Sequence, residues 1–276
     1  MPAIVNTKNG QFMVLPNDAI GKHLAKYGDF EPHFRTVADH AISAGLQNGR
    51  GVCVDAGANI GYHTVGMAKL LNGAGQVVAF EPQRIIFQQL SGNVFLNNLR
   101  NVTTINAALG DKNDTIAMDY INLDQENINV GGTKVGSGGN VAEMLKLDDL
   151  GLLDVSFMKV DIQGCEVAFL RGAKDTITRS RPVMFVEVEN HLLNCFGESS
   201  ETLLNALLAL DYILIRIDNE YTCDHVAIPK EKEWFVSVIY NNLGSLSIIK
   251  GKSVKVHFDR KDAQPNILYG TYEVTP

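Results

Sequence analysis

The chain has 276 residues, long enough for one large α/β domain or two small ones. Its formal net charge of −7 argues against nucleic acid or an anionic membrane surface as the main partner, because such partners require clustered Lys and Arg. No apolar run predicts a membrane-spanning helix, and the first residues lack the pattern of a secretory signal. The four cysteines form no CxxC pair, which argues against a zinc site or a disulfide framework and favours a cytoplasmic protein with reduced thiols.

The first fifty residues predict a hairpin and a helix ahead of the main domain. Two apolar stretches in residues 4–15 flank the pair Asn9-Gly10, a signal for a two-residue hairpin turn. Apolar residues in 33–45 recur at helical spacing, and Gly45 ends the pattern.

From residue 51, apolar strands and helices alternate along the chain. This alternation predicts mainly parallel strands in an open, doubly wound, Rossmann-like α/β sheet that binds its ligand at the carboxyl ends of the strands, at the turn formed by residues 55–61. The predicted strands are 51–56, 76–81, 102–107, 155–161, 183–189, 212–217 and 234–240, and the predicted helices are 62–71, 84–99, 165–178 and about 200–210.

Two segments depart from the alternation. Residues 122–140 are polar and rich in Gly and Asn, which fits either a surface loop or a mobile lid over the site. Residues 244–276 contain three short β-like runs, which fit a small β extension or an oligomer contact. We therefore divide the chain into an N-terminal hairpin and cap helix (1–50), a main ligand-binding domain (51–243) and a C-terminal β extension (244–276).

The first strand–helix turn reads Gly57-Ala58-Asn59-Ile60-Gly61. Dinucleotide-binding folds place glycine at the middle position so that bare backbone can touch the pyrophosphate. Asn59 carries a side chain there, which favours a ligand without phosphates. S-adenosylmethionine is such a ligand, and its amino-acid tail can lie along this turn beside Asp55.

A second signal is Glu81 in AFEPQ, which ends the second strand. A carboxylate at that position can accept hydrogen bonds from both ribose hydroxyls. An acid at a strand end is common, but the turn at 57–61 and Glu81 together, in this order and at this separation, indicate an adenosine-containing cofactor.

With these elements the sequence resembles the FkbM-type S-adenosylmethionine-dependent methyltransferases over roughly residues 20–240. The resemblance implies a seven-stranded methyltransferase sheet whose last strand is antiparallel, with residues 234–240 in that hairpin. It also implies O-methylation of a hydroxyl on a sugar, glycan or small natural product. The blocks that carry it are GDFEPHF (28–34), VDAGANIGYHT (54–64), VVAFEP (77–82), NAALGD (106–111), LDDLGL (147–152), MKVDIQGCEVAFLRGA (158–173) and RPVMFVEVE (181–189).

The resemblance also implies roles for individual residues. The methionine part of the cofactor would contact Asp55, Gly57, Asn59 and Gly61, the ribose would contact Glu81, and the adenine would lie beside Ala107 and Ala108. Asp161 would face the methyl-transfer space and contact the cofactor, and Glu31 would close over the cofactor. Family members often carry an acid where this chain has Gln163, so we do not place a catalytic base at that position.

A general base would assist a hydroxyl acceptor, and the candidates near the strand ends are Asp161, Glu187 and His191. Asp161, Glu187 and Asn190 could instead form an oxygen-rich magnesium site. Because spacing alone does not show that these three converge, we assign no metal site.

Other functions remain open from the sequence. A nucleic-acid methyltransferase is disfavoured because no Pro-Pro motif follows the fourth strand, and an NAD(P) dehydrogenase is disfavoured by Asn59. The alternative is a non-catalytic binding or structural protein that retains the fold, or a methyltransferase that acts on another acceptor, a protein or a nucleic acid. The expected partner is a small-molecule or carbohydrate acceptor, and a homodimer is possible.

Overall fold

A computed structural model describes residues 1–45, 51–129, 139–218, 223–243, 246–258 and 270–275. The helices are α1 (Ala19–Tyr27), α2 (Pro32–Gly45), α3 (Tyr62–Leu71), α4 (Arg84–Leu96), α5 (Glu166–Gly172), α6 (Lys174–Ser180), α7 (Asn190–Asn194), α8 (Ser200–Ala209) and α9 (Trp234–Leu243). The strands are β1 (Ala3–Thr7), β2 (Gly10–Val14), β3 (Gly51–Ala56), β4 (Gly75–Phe80), β5 (Val102–Ile105), β6 (Ala107–Leu109), β7 (Asp114–Met118), β8 (Asn140–Leu145), β9 (Val155–Val160), β10 (Val183–Glu187), β11 (Tyr212–Ile217), β12 (Asp224–Pro229), β13 (Leu246–Ile249), β14 (Ser253–Phe258) and β15 (Gly270–Thr275).

The central sheet has eight strands in the order β13-β11-β12-β10-β9-β3-β4-β5. The five strands from β10 to β5 are parallel, whereas β12 is antiparallel to both of its neighbours. The chain runs outward from β3 through β4 to β5 and then returns to place β9 on the other side of β3. Strand order therefore reverses between β3 and β9, and a ligand crevice forms at the carboxyl ends of these two strands.

Helices cover both faces of the sheet, which explains why its strands are apolar throughout. Along β9, Met158 belongs to the core shared with α5, α6 and α8, and the preceding Phe157 belongs to the core shared with α2, α3 and α9. Successive side chains of a strand point to opposite faces, so a strand buried on both sides reads as a continuous apolar run. No described helix has both the length and the apolar character needed to cross a membrane.

The structure confirms the α/β class and the mostly parallel sheet, with eight strands where about seven were expected. The prediction of a strand at 234–240 was wrong, because these residues form helix α9. Phe235 and Ile239, four residues apart, are buried, while Trp234 and Tyr240 are exposed, which is helical rather than alternating burial. The antiparallel strands are β12, which was not predicted from the sequence, and β13, which is antiparallel to β11.

Two further differences concern connections. The predicted helix at 165–178 is divided into α5 and α6 at Ala173, and the strand β13 from the predicted C-terminal extension pairs with β11. In the polar segment 122–140, residues 130–138 lie outside the described residues, so the choice between loop and lid stays open. The three-part division of the chain also stays a prediction.

The N-terminal hairpin is present, and its loop is Lys8-Asn9, one residue earlier than predicted. It is attached to the domain through Asn93 of α4, which is fully buried. The Asn93 side chain accepts a hydrogen bond from Met13 N at 2.7 Å and donates to Ile60 O at 2.8 Å. One amide thus joins the hairpin, α4 and the loop after β3.

Replacing Asn93 with Ala is expected to lower the free energy of unfolding by about 2–3 kcal/mol, because the part-buried amide of Met13 and the buried carbonyl of Ile60 would lose their partner. Asn97→Ala is the matched control. Its amide also bridges to the hairpin through the backbone of Gln11, but at an exposed position where water can replace it. Urea unfolding of both variants measures the difference, and equal losses would contradict the role given to Asn93.

Candidate active site

The loop between β3 and α3 forms one wall of the crevice. Gly57 has φ +80°, and a Cβ at this position would lie 1.8 Å from the Asp161 carbonyl oxygen, so only glycine fits. Asn59 also has positive φ, at 50°, a conformation that Asn tolerates better than most residues. Its Oδ1 accepts a hydrogen bond from Ile60 N at 2.8 Å. Asn59 thus keeps a glycine-like backbone while its side chain bonds within the loop.

The amides of this loop are used inside the protein. Gly57 and Ala58 both donate to the Phe80 carbonyl, Asn59 donates to Glu81, and Gly61 donates to the Ala58 carbonyl. With the Ile60 amide bonded to Asn59, the loop from 57 to 61 offers no spare N–H group to a phosphate. This observation agrees with the expectation of a phosphate-free ligand.

A cavity of about 260 Å³ opens beside the loop at the carboxyl ends of the parallel strands. One part of its lining is apolar and comes largely from the small sheet β6-β8-β7 and from α5. The other part is polar. The apolar lining includes Ala107, Ala108, Leu109, Ile116, Met118, Met144, Ala168 and Phe196, and the polar lining includes Asn59, His63, Glu81, Gln83, Lys159, Asp161 and Gln163.

Glu81 lies directly after β4 and is buried. Its Oε2 accepts from Asn59 N at 3.0 Å, and its Oε1 accepts from Gln83 N at 2.8 Å. Burial raises the pKa of Glu81 to about 7, although these two amide hydrogen bonds oppose the rise. Each carboxylate oxygen keeps a second lone pair that can accept a hydroxyl of a ligand in the cavity.

A buried lysine occupies the point where strand order reverses. Lys159 of β9 lies opposite Asp55 of β3 in the parallel register. Its Nζ donates to Asp161 Oδ2 at 3.0 Å and to Gly57 O at 3.1 Å, and lies 3.8 Å from Asp55 Oδ1. Burial lowers the pKa of Lys159, but the charges of Asp161 and Asp55 raise it by more, so the side chain is a cation.

The turn after β9 and the end of β10 bring three polar side chains next to one another. The Gln163 amide donates to Asp161 Oδ1 at 3.1 Å and to Glu187 Oε2 at 3.3 Å. Gln163 and Gly164 have positive φ, and Glu166 Oε1 fixes this turn by accepting from the amides of Ile162 and Gly164. The amide at position 163 therefore links two carboxylates that a third acid would repel.

The GDFEPHF segment lies beside the same crevice. Asp29 holds it in place by accepting hydrogen bonds from Arg35 at 2.7 and 2.9 Å and from the Tyr62 hydroxyl at 2.9 Å. Glu31 has φ +47° and its Oε2 lies 2.9 Å from His63 Nε2. His63, which lines the cavity, is thus connected to the N-terminal segment.

The structure brings most of the predicted cofactor residues to one place. Gly57, Asn59, Glu81, Ala107, Ala108 and Asp161 all line the cavity. Asp55 lies behind the wall, fully buried, where its Oδ2 accepts from the Thr64 hydroxyl at 2.5 Å. Gly61, at the N-cap of α3, and Glu31 flank the lining residues.

Of the three predicted catalytic residues, only Asp161 lines the cavity. Glu187 is linked to it through Gln163. His191 lies on α7, outside the lining, with its Nδ1 at 3.5 Å from Glu189 and a side-chain exposure of 34%. Among the described residues, no group of three or more His, Cys, Asp or Glu is placed to hold a metal ion.

Two residues of the cavity lining, Lys159 and His63, were not predicted as site residues from the sequence. Lys159 left a visible signal, since it is a charged residue inside the apolar strand VSFMKV. The apolar residues Ile116, Met118 and Met144 were missed because β7 and β8 lie within an irregular part of the sequence.

The model of the Methyltransferase FkbM domain matches residues 55–214, more than half of the chain. The chain belongs to the FkbM methyltransferase family. The matched range contains the loop after β3, Glu81, Lys159 and Asp161, which form the polar side of the cavity. No curated protein sequence matches this FkbM-family chain.

Solved structures with a similar fold include an FkbM methyltransferase from Methylobacillus flagellatus KT (18% identity, TM-score 0.46), which covers 78% of this chain. This chain spans 62% of the length of that protein. M. jannaschii TYW2 in complex with AdoMet has 18% identity and a TM-score of 0.42, with 82% and 83% of the two chains covered. An O-methyltransferase from Thermotoga maritima has 12% identity and a TM-score of 0.43, with 82% and 77% covered.

S-adenosylmethionine is the cofactor of this FkbM-family chain. The cavity fits it, since one wall is apolar, as an adenine requires, and Glu81 provides hydrogen-bond acceptors for a ribose. The loop that a pyrophosphate would need is closed by its own hydrogen bonds. When bound, the cofactor supplies an electrophilic methyl group, and the protein has to orient an acceptor toward it.

Gly57→Ala is expected to unfold the protein at a much lower temperature than Gly73→Ala. Both glycines have φ +80°, so both substitutions carry the cost of about 1–2 kcal/mol for a left-handed residue. Only at Gly57 would the new Cβ meet backbone, whereas nothing lies within 4 Å of it at Gly73. Thermal unfolding monitored by circular dichroism compares the two, and similar melting temperatures would refute the close packing of the loop against Asp161.

The raised pKa of Glu81 predicts pH-dependent cofactor binding. With a pKa of about 7 in the free protein, Glu81 is mostly protonated at pH 6 and mostly ionised at pH 8, and the ionised form accepts ribose hydroxyls better. S-adenosylhomocysteine should therefore bind about tenfold more tightly at pH 8 than at pH 6. Calorimetry at both pH values tests this expectation. Glu81→Gln should bind more weakly and without that pH dependence, and an equal dependence in the variant would exclude Glu81 as its source.

Proposed function

We propose that the protein transfers the methyl group of S-adenosylmethionine to a hydroxyl of a sugar, glycan or small natural product. The observation that carries the proposal is the link between Asp161, Gln163 and Glu187 at the carboxyl ends of β9 and β10. These groups offer several hydrogen-bond acceptors next to the cofactor cavity, and a hydroxyl acceptor is a hydrogen-bond donor.

Asp161 can accept a hydrogen bond from a bound group, since it lines the cavity and its side chain is 31% exposed. Desolvation raises the pKa of Asp161, but the charge of Lys159 and contacts with Glu187 and Gln163 lower it by more. A carboxylate with a lowered pKa is a weak base. Asp161 is therefore suited to orient a donor group rather than to remove its proton completely.

Proton removal would then fall to Glu187 or His191. Glu187 is next to Asp161 through the Gln163 amide, whereas His191 would have to reach the acceptor from α7. The geometry favours Glu187 as the residue that receives the acceptor proton.

Two alternatives remain distinct from this proposal. The chain could bind the cofactor without turnover, or it could methylate another class of acceptor such as a protein. The proposed small-molecule or carbohydrate partner is supported by the carboxylates beside the cavity, which would not favour a phosphate-rich nucleic acid.

The test is turnover with S-adenosylmethionine labelled with ¹³C in the methyl group and a panel of sugars and hydroxylated small molecules. We expect formation of S-adenosylhomocysteine that depends on a hydroxyl acceptor, and a methyl ether in the product by NMR. Transfer of the labelled methyl group to a nitrogen atom or to a protein would show that the acceptor is not a hydroxyl of a sugar or small molecule. Cofactor binding without turnover on the panel would favour the non-catalytic alternative.

Glu187→Gln is expected to lower kcat by about 10²–10⁴-fold, the usual contribution of a general base. Binding of S-adenosylhomocysteine should be nearly unchanged, since Glu187 is not among the residues that line the cavity. His191→Ala, assayed in parallel, should leave kcat close to wild type. The reverse pattern would move the proton-accepting role from Glu187 to His191.

A further inference from the structure

Lys159 is a buried ammonium group on the cavity wall whose hydrogen bonds are incomplete. Its side chain is 4% exposed, and an ammonium has three N–H donors. Two of them are used by Asp161 Oδ2 at 3.0 Å and Gly57 O at 3.1 Å. Asp55 Oδ1, at 3.8 Å, is beyond hydrogen-bond distance. Within the described part of the chain, the third donor has no acceptor.

Asp55, which lies opposite Lys159, also has an unused hydrogen-bonding atom. Its Oδ1 is buried and has no hydrogen-bond partner among the described residues. A charged group out of contact with water is costly when its hydrogen bonds are unmade. Lys159 and Asp55 both lie at the point where strand order reverses and the cavity begins.

The charges at this point form a pair that faces the ligand. Lys159 and Asp161 both line the cavity, and their opposite charges are 3.0 Å apart. The amino-acid end of S-adenosylmethionine carries a carboxylate and an ammonium on one carbon atom. A cation and an anion side by side on the protein match these two groups with opposite signs.

We propose that Lys159 binds the carboxylate of the cofactor tail and that Asp161 binds its ammonium, so that the ion pair recognises the tail as a zwitterion. The proposal rests on the cofactor and adds Lys159, which neither the sequence motifs nor the family resemblance assigned. The competing explanation is that Lys159 only clamps β3 to β9 by neutralising Asp55 and Asp161.

The two explanations differ in how binding depends on the ligand. Three probes separate them by calorimetry: S-adenosylhomocysteine, its decarboxylated analogue S-adenosyl-3-thiopropylamine, and 5′-methylthioadenosine, which has no charged tail. We expect Lys159→Met to weaken S-adenosylhomocysteine binding by about 10- to 100-fold, the value of one charge-assisted hydrogen bond. Binding of the other two probes should stay close to wild type, because neither carries a carboxylate.

Lys159→Met leaves the carboxylates of Asp55 and Asp161 without a positive partner, so the test needs a control for correct folding. Lys159→Met combined with Asp55→Asn removes one charge of each sign from the cluster, and should show the same selective loss. Lys232→Met is the control, since Lys232 is a partly buried lysine that donates to the Arg181 carbonyl, just before the start of β10 and thus at the end of the sheet away from the cavity. In each variant, retained binding of 5′-methylthioadenosine reports that the adenosine part of the cavity is intact.

Three results would overturn the proposal. If Lys159→Met weakened the binding of all three probes equally, Lys159 would have only the structural role of joining β3 to β9. An unchanged preference for the carboxylate in Lys159→Met would place that carboxylate on the backbone amides at the start of α3. If the wild-type protein bound none of the three probes, the assignment of S-adenosylmethionine as the cofactor would fail. This outcome can be told apart from failure of the Lys159 proposal, because it is measured on the wild-type protein alone.

Discussion

The cluster of Lys159, Asp55 and Asp161 is the constraint around which the site is organised. Three charges lie at the meeting point of β3 and β9, where Lys159 and Asp55 are buried and Asp161 is partly buried, and burial of charge is costly. They persist because the two strands align Asp55 with Lys159 and because the glycine turn brings the Gly57 carbonyl within 3.1 Å of the ammonium. The same contact closes the loop that borders the cavity, so the integrity of the sheet and the shape of the site depend on the same groups.

The two ends of the cavity follow different chemistry. At the apolar end, side chains from the small sheet β6-β8-β7 and from α5 form a surface that excludes water. At the polar end, burial raises the pKa of Glu81 to about 7, and it does the same for Glu166, which fixes the turn behind the lining residues. Because such acids are protonated more readily when folded, their contribution to stability is greatest below pH 4.5 and is lost as pH rises through 7. The ligand-free protein thus gives up stability at neutral pH to keep acceptors available inside the crevice.

Local patterns were enough to predict elements whose burial is regular. Strand Gly51–Ala56 and helix Tyr62–Leu71 have the bounds expected from the sequence, since an apolar run and a helical pattern are separated there by glycines. The prediction for 234–240 was wrong because a run with six apolar residues in seven fits either element, and only the packing of Phe235 and Ile239 on the sheet decides between them. Glu81 and Asp161 could be placed because each directly follows an apolar strand.

The sequence alone does not show which residues from distant segments of the chain lie close together. The role of Lys159 becomes visible only when β9 lies in register with β3, more than a hundred residues earlier in the chain. The link from Glu31 to His63 likewise depends on the fold of the GDFEPHF segment against α3. Contacts of this kind carry no periodic signal, so residue type alone cannot reveal them.

The N-terminal segment is also joined to a late part of the chain. His33 Nε2 lies 2.6 Å from Asp224 Oδ2, across 191 residues, and Asp224 is paired with Glu187 between β10 and β12. During synthesis the GDFEPHF segment emerges early but cannot form this contact until residue 224 has left the ribosome. The crevice would then be completed among the last parts of the molecule. Such an order delays assembly of a working site until the sheet that supports it is nearly whole.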